Sequence, residues 1–340
     1  MPSSKRYTWL DIAKILACFL VIVNHSHSLS KFAGVTTTVA IFDAVTFAIC
    51  KIAVPIFVMT TGVLLLQKET TWKKTVIRIL RVGVPLLVIS IIHYVIAKDS
   101  NRTVWNFLRL LVSMPLSTHL WYLYMLIGLY LAIPFIHKIT KTASDKELLI
   151  FVLFFLIIPS VASFVAKVFH VSISSHLLDA FFPAALAYLI AGYVLSRVAL
   201  KRKYVFLSVL LFIISISIFV LSILCPYFKT GKLTDLLEDW KSLPVALASL
   251  SAFYILRYAF EKKQFRDKTE KVIRTVSGTT FGVYLIHIIA LRKIPYIGIM
   301  RSIFAFDPCI GTVVTQIGCF VLCVAVIFVL KKIPGIKRFL

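Results

Sequence analysis

The chain has 340 residues, of which 60% are hydrophobic and only 15% charged, and its mean hydropathy is +0.94. A soluble domain averages about 45–50% apolar and about 25% charged residues, so the composition excludes a water-soluble globule, a disordered chain and a secreted disulfide scaffold; the apolar excess must face lipid. The 38 Lys+Arg against 14 Asp+Glu give a formal net charge of +24, which in a soluble protein would raise nucleic acid but here reads as basic residues gathered in cytoplasmic loops, with no nucleic-acid partner required.

A bilayer core needs about 20 apolar residues per helix. On that measure the sequence predicts ten spans, at about 9–28, 41–66, 76–97, 120–139, 148–168, 177–197, 204–224, 242–260, 273–292 and 309–331. The first is no cleaved signal peptide, because Asp11 and Lys14 lie in its apolar stretch and no small-residue cleavage pattern follows. The segment 103–112 is too short to span and reads as an amphipathic turn at the interface. No soluble domain and no internal repeat interrupts the pattern, so residues 1–340 form a single all-α integral membrane domain of ten transmembrane helices. The six cysteines show no metal-type spacing and fall mostly in apolar runs.

An even number of spans puts both termini on one side. Of the 38 basic residues, 23 lie in the tails and loops of that side and 11 in the opposite loops, while Lys14, Lys51, Arg78 and Arg81 lie within spans. The positive-inside rule makes both termini cytoplasmic. Asp11, Lys14, Arg78 and Arg81 then sit in the inner half, and Asn24, His25, His93, His119 and His287 in the outer half.

An ionisable side chain within a span is costly unless paired or solvated. His25 ends an apolar helix in Asn24-His25-Ser26-His27, where a neutral imidazole can serve as a general base; an interfacial histidine satisfied by water or a carbonyl is the other reading. Lys14 and His25 are 11 residues apart, about 16 Å along a helix, too far to touch, so they serve two ends of a long ligand or separate tasks. Asp11 and Lys14, three residues apart, are expected to neutralise each other. Arg78 and Arg81 share one helix face, where a bidentate grip on phosphate is natural, though boundary arginines also snorkel without any ligand. Trp121, Tyr122 and Tyr124 after His119 fit an aromatic belt, and His119 and His287 each fit either a structural or a ligand role. No metal-ligand set, nucleophile elbow or phosphate-cradling glycine loop is present in the sequence.

In order, these segments resemble the membrane acyltransferase-3 family, ten-helix bacterial O-acyltransferases of surface glycans and glycolipids. The stretch from Trp9 to His25, with Lys14 ten intervening positions before the histidine, is similar to the family's first helix, and Val54–Gly62 to its second. Arg78-x-x-Arg81 matches an Arg-x-x-Arg pair, His119-Leu-Trp-Tyr-Leu-Tyr with Tyr130 and Pro134 matches a fourth-helix signature, and Phe281–His287 matches a late one. The chain departs from many members in having Lys14 where they have arginine and Leu126 where they have glutamate. The resemblance implies a stand-alone form, without the esterase-like domain some relatives carry.

What the resemblance implies is a multi-pass protein of the bacterial cytoplasmic membrane that takes an acyl group, most simply acetyl, from cytoplasmic acyl-CoA. It moves that group to a hydroxyl of a cell-surface or lipid-linked saccharide. Lys14, Arg78 and Arg81 would hold the donor's phosphates. His25 would act as base or transient acyl acceptor, and His119 or His287 would supply the oxyanion donor. Asn24, Trp121 and Tyr124 are the candidate acceptor-binding residues. No metal is implied, and a homo-oligomer is compatible with the pattern. The competing class is a transporter of a sugar or amino acid that passes substrate through the same polar interior.

Overall fold

The computed structural model describes residues 7–27, 36–96, 103–169, 171, 184–233, 237 and 240–340. Within them the protein is helical throughout, with no strand. The first part of the bundle comprises α1 (Thr8–His25), α2 (Thr37–Cys50), α3 (Ala53–Leu66), α4 (Trp72–Ile96), the short α5 (Val104–Ser113) and α6 (Trp121–Thr142). Next come α7 (Asp145–Val152) and α8 (Ile158–Val168), joined by a π-helical turn, then α9 (Ala184–Leu195) and α10 (Arg202–Thr230). The chain continues through α11 (Leu243–Phe260), α12 (Asp267–Ser277), α13 (Thr280–Leu291), α14 (Gly298–Phe306), α15 (Pro308–Leu330) and the single turn α16 (Pro334–Lys337).

Local chemistry sets the boundaries. The side chains of Thr36, Thr103 and Asp307 accept from the amides of Val39, Asn106 and Ile310, and Ser144 with Glu147 forms a capping box. Gly231 ends α10 in the left-handed region, at φ 68°.

Eight helical segments among the described residues are long and apolar enough to cross a membrane, nine if the bent pair α12–α13 counts as one span. The span expected at 41–66 is broken at Lys51–Ile52 into two helices but still counts as one crossing. Two other expected spans account for the lower number. The span expected at 273–292 is bent by 58° at Gly278–Thr279. The span expected at 177–197 falls partly outside the described residues, leaving the 12-residue α9.

The bundle has an enclosed core and also turns many large apolar residues outward. Trp9, Met59, Leu120, Tyr188 and Phe253 lie fully enclosed in one continuous core, whereas Phe206 of α10 is 73% exposed. A hydrocarbon solvent rewards that arrangement, because apolar surface left outside the core has lipid to face. The segment expected as a turn is instead a ten-residue helix, Val104–Ser113, with Trp105 and Val112 exposed and Asn106 buried.

Helices α3 and α9 approach closely in the core. A methyl group at Gly62 would collide with the backbone carbonyl of Leu189, and one at Gly192 with the backbone of Met59. Glycines at a helix crossing let two backbones touch, which substitutes dispersion for the missing hydrophobic drive in lipid. Gly62→Ala or Gly192→Ala should therefore cost about 1–3 kcal/mol through overpacking. Gly128→Ala, where the added methyl meets nothing within 4 Å, should cost no stability; thermal denaturation in detergent compares the three.

Candidate active site

Helix α1 runs through the middle of the site and is fixed at both ends. Near its start the buried Asp11 carboxylate binds the Lys14 ammonium at 2.7 Å and accepts from Ser277 Oγ at 2.7 Å, which ties α1 to the end of α12. At its far end Gln316 Nε2 donates to Ser26 Oγ at 2.8 Å, and Ser26 donates to the Val23 carbonyl. The expected pairing of Asp11 with Lys14 is present.

Four histidines, on α1, α4, α13 and the 3-10 turn 118–120 that leads into α6, converge at that far end. The ring centroids of His25 and His287 are 5.2 Å apart, those of His119 and His287 5.0 Å, and those of His25 and His119 6.3 Å. His93 of α4 lies 5.7 Å from His119. His287 Nδ1 is 2.7 Å from the Tyr284 carbonyl, which can only accept, so Nδ1 carries the proton and Nε2 keeps its lone pair. His119 Nδ1 pairs with Ser117 Oγ at 2.9 Å, and the Tyr284 hydroxyl donates to the His119 carbonyl. The Nε2 atoms of His93, His119 and His287 are buried without a hydrogen-bond partner. Buried polar atoms of that kind mark a place where a ligand or water completes the site. No group of three or more His, Cys, Asp or Glu residues among those described could hold a metal ion.

His25 opens into a cavity of about 360 Å³ that it shares with His119, Asn24, Lys51, Trp121, Tyr122, Trp240 and Tyr284. Asn24 is steadied by the Cys50 thiol at 3.5 Å. Trp240 packs on Trp121 at 5.9 Å and stacks on Tyr188 at 5.6 Å. His287 lies behind this wall, fully buried. His27 turns away to α2, where it faces Asp43 at 3.9 Å and the Phe47 ring at 4.7 Å.

A second cavity, about 500 Å³, opens beside the start of α1 and is lined by Lys14, Arg78, Arg81, Tyr130, Lys337 and Arg338 with residues of the α12–α13 bend. The three cationic residues that the resemblance implies for the donor's phosphates meet here, while Lys51 lines the other cavity. The first residues of α13, Thr280 and Phe281, also line it, so a helix N-terminus adds its partial positive charge to theirs. Arg78 Nη1 donates to Thr70 at 2.8 Å, which orients one guanidinium. Pro85 inside α4 has no amide hydrogen to give the Arg81 carbonyl.

The two cavities share walls. On α6, Tyr122 lines the first cavity and Leu126 and Tyr130 the second; on α13, Tyr284 lines the first and Thr280 and Phe281 the second. On α1 the corresponding residues are His25 and Lys14. Four residues of helix rise about 6 Å, so on α6 and α13 about one turn separates the linings.

One expected site residue stands apart. Tyr124 does not line the histidine cavity; its hydroxyl donates to the Leu111 carbonyl at 2.8 Å. Two residues on from Tyr122, it projects from another side of α6, toward α5. Conversely, His93, Lys51, Tyr122, Tyr284 and Trp240 belong to the site without having been assigned to it. His93 and Lys51 carried a usable signal, being ionisable residues within predicted spans. Trp240 carried none, because only the fold brings it to Trp121.

Over residues 7–332 the chain matches the family described as Acyltransferase domain. The chain belongs to that family, and is a multi-pass helical membrane protein of the acyltransferase class. No curated protein and no solved structure matches it.

The Asp11–Lys14 pair permits a test of how the site is held. Lys14→Met withdraws the ammonium from a carboxylate that stays buried, and should lower stability by about 2–4 kcal/mol. Adding Asp11→Asn removes the stranded charge and should restore most of that loss. Thermal denaturation of the single and double variants measures it.

Proposed function

We propose that this protein is an O-acyltransferase that draws an acyl group, most simply acetyl, from cytoplasmic acyl-CoA and delivers it to a hydroxyl of a lipid-linked or surface saccharide. One observation carries the reading: a cation-lined cavity and a histidine-lined cavity stand end to end along the same three helices. The first suits the phosphates of a nucleotide thioester and the second suits hydroxyl activation. In the proposed orientation, with ten crossings and both termini inside, the cationic cavity faces the cytoplasm of a bacterial cell. The donor's long neutral arm then runs along the shared wall toward His25.

In the reaction the acceptor oxygen attacks the thioester carbonyl while His25 takes the hydroxyl proton. The new C–O bond forms, the C–S bond breaks, and the proton ends on the departing thiolate. A developing oxyanion needs a fixed N–H or O–H donor. His119 is the candidate on the cavity wall; His287, implied by the resemblance as an alternative, has its one N–H engaged by the Tyr284 carbonyl and is left as a positioning residue behind the wall. The aromatic wall of Trp121, Tyr122, Trp240 and Tyr284 suits the apolar face of a sugar ring, and Asn24 its hydroxyls.

Purified protein should release CoA from acetyl-CoA. His25→Ala should abolish turnover, by about 10²-fold or more as expected for loss of a general base, while leaving CoA binding intact. Arg78→Ala should weaken CoA binding instead. Counterflow of a sugar or amino acid with no CoA release would assign the protein to transport.

A further inference from the structure

The cationic cavity holds more positive charge than the residues assigned to it from the sequence. Lys337 and Arg338, at the far end of the chain, line it together with Arg78 and Arg81. The segment that carries them is anchored on both sides. Lys331 Nζ donates to the Gly278 carbonyl at 2.6 Å, on the rim of the same cavity, and Leu340 packs against the apolar core.

Lys14 is neutralised by Asp11 at 2.7 Å. Arg78, Arg81, Lys337 and Arg338 form no ion pair among the described residues. These four charges come as two pairs on two separate elements. Arg78 and Arg81, about one turn apart on a single helix face, suit one phosphate cluster. The second pair stands on the C-terminal segment, a different element of the same cavity wall. Coenzyme A carries its charge in two places in the same way, a diphosphate and a ribose phosphomonoester with about two negative charges.

We infer that Lys337 and Arg338 form a second anion subsite, which binds the ribose phosphomonoester of the nucleotide donor while Arg78 and Arg81 hold its diphosphate. The inference rests on the acyl-CoA reading above. It makes the C-terminal segment a specificity element that distinguishes a donor carrying both groups from one carrying only the diphosphate.

The test is a double cycle of protein and ligand, run on the full-length protein in detergent by calorimetry. Coenzyme A and dephospho-coenzyme A are titrated into the wild type and into Lys337→Gln/Arg338→Gln. Both side chains are exposed, so the variant should keep its thermal midpoint; Lys337→Gln alone is the fallback if it does not. The wild type should prefer coenzyme A by about tenfold, the equivalent of about 1.4 kcal/mol. The variant should lose that preference, with dephospho-coenzyme A binding changed less than threefold. Equal weakening of both ligands, or of neither, would overturn the subsite while Arg78→Gln still weakened both. Failure of the wild type to bind either ligand would instead remove the donor reading on which the subsite depends.

Discussion

A polar contact holds each end of helix α1 inside an apolar bundle. Ser277 donates to the buried Asp11 carboxylate at one end, and Gln316 donates to Ser26 at the other. A broken polar contact in such a place has no water to turn to, so each costs more to release than a surface bond of the same length. The consequence is a fixed phase along the helix. Lys14 is directed into the cationic cavity and His25 into the aromatic one, about 16 Å apart. The Asp11–Lys14 pair adds to this, since the carboxylate that holds the helix also removes one charge from the cavity it borders.

Much of this was legible in the sequence because lipid imposes a coarse and strict rule. A run of apolar residues long enough to cross reveals a span, and any charge within it is conspicuous. Asp11, Lys14, Arg78, Arg81 and the histidines at 25, 119 and 287 all stood out on that ground, and the fold collects them into two adjoining sites. Hydropathy is blind to direction, however. It averages across the break at Lys51–Ile52 and the 58° bend at Gly278–Thr279, because both flanks of each remain apolar. It also cannot say which side of a helix an aromatic residue occupies, so Tyr124 read like its neighbours although it hydrogen-bonds toward α5.

The features that escaped the sequence are those made by distant contacts. Trp240 joins the cavity wall only because it packs on Trp121 and Tyr188. Lys337 and Arg338 looked like part of the basic surplus that marks a cytoplasmic side, and only the fold lays them over the start of α1 and α13. The same residue type thus serves as an address in one loop and as a ligand wall in another, and linear composition does not separate the two.

The order of the two cavities along shared helices has an electrical consequence. A chamber rich in fixed positive charge and one lined by aromatic rings and imidazoles are both lined by α1, α6 and α13. Moving one elementary charge through 100 mV of membrane potential involves about 2.3 kcal/mol. In the proposed reaction the phosphates stay in the first chamber, and only an uncharged arm and acyl group reach the second. The transfer is then electrically silent, and its rate should be indifferent to membrane voltage.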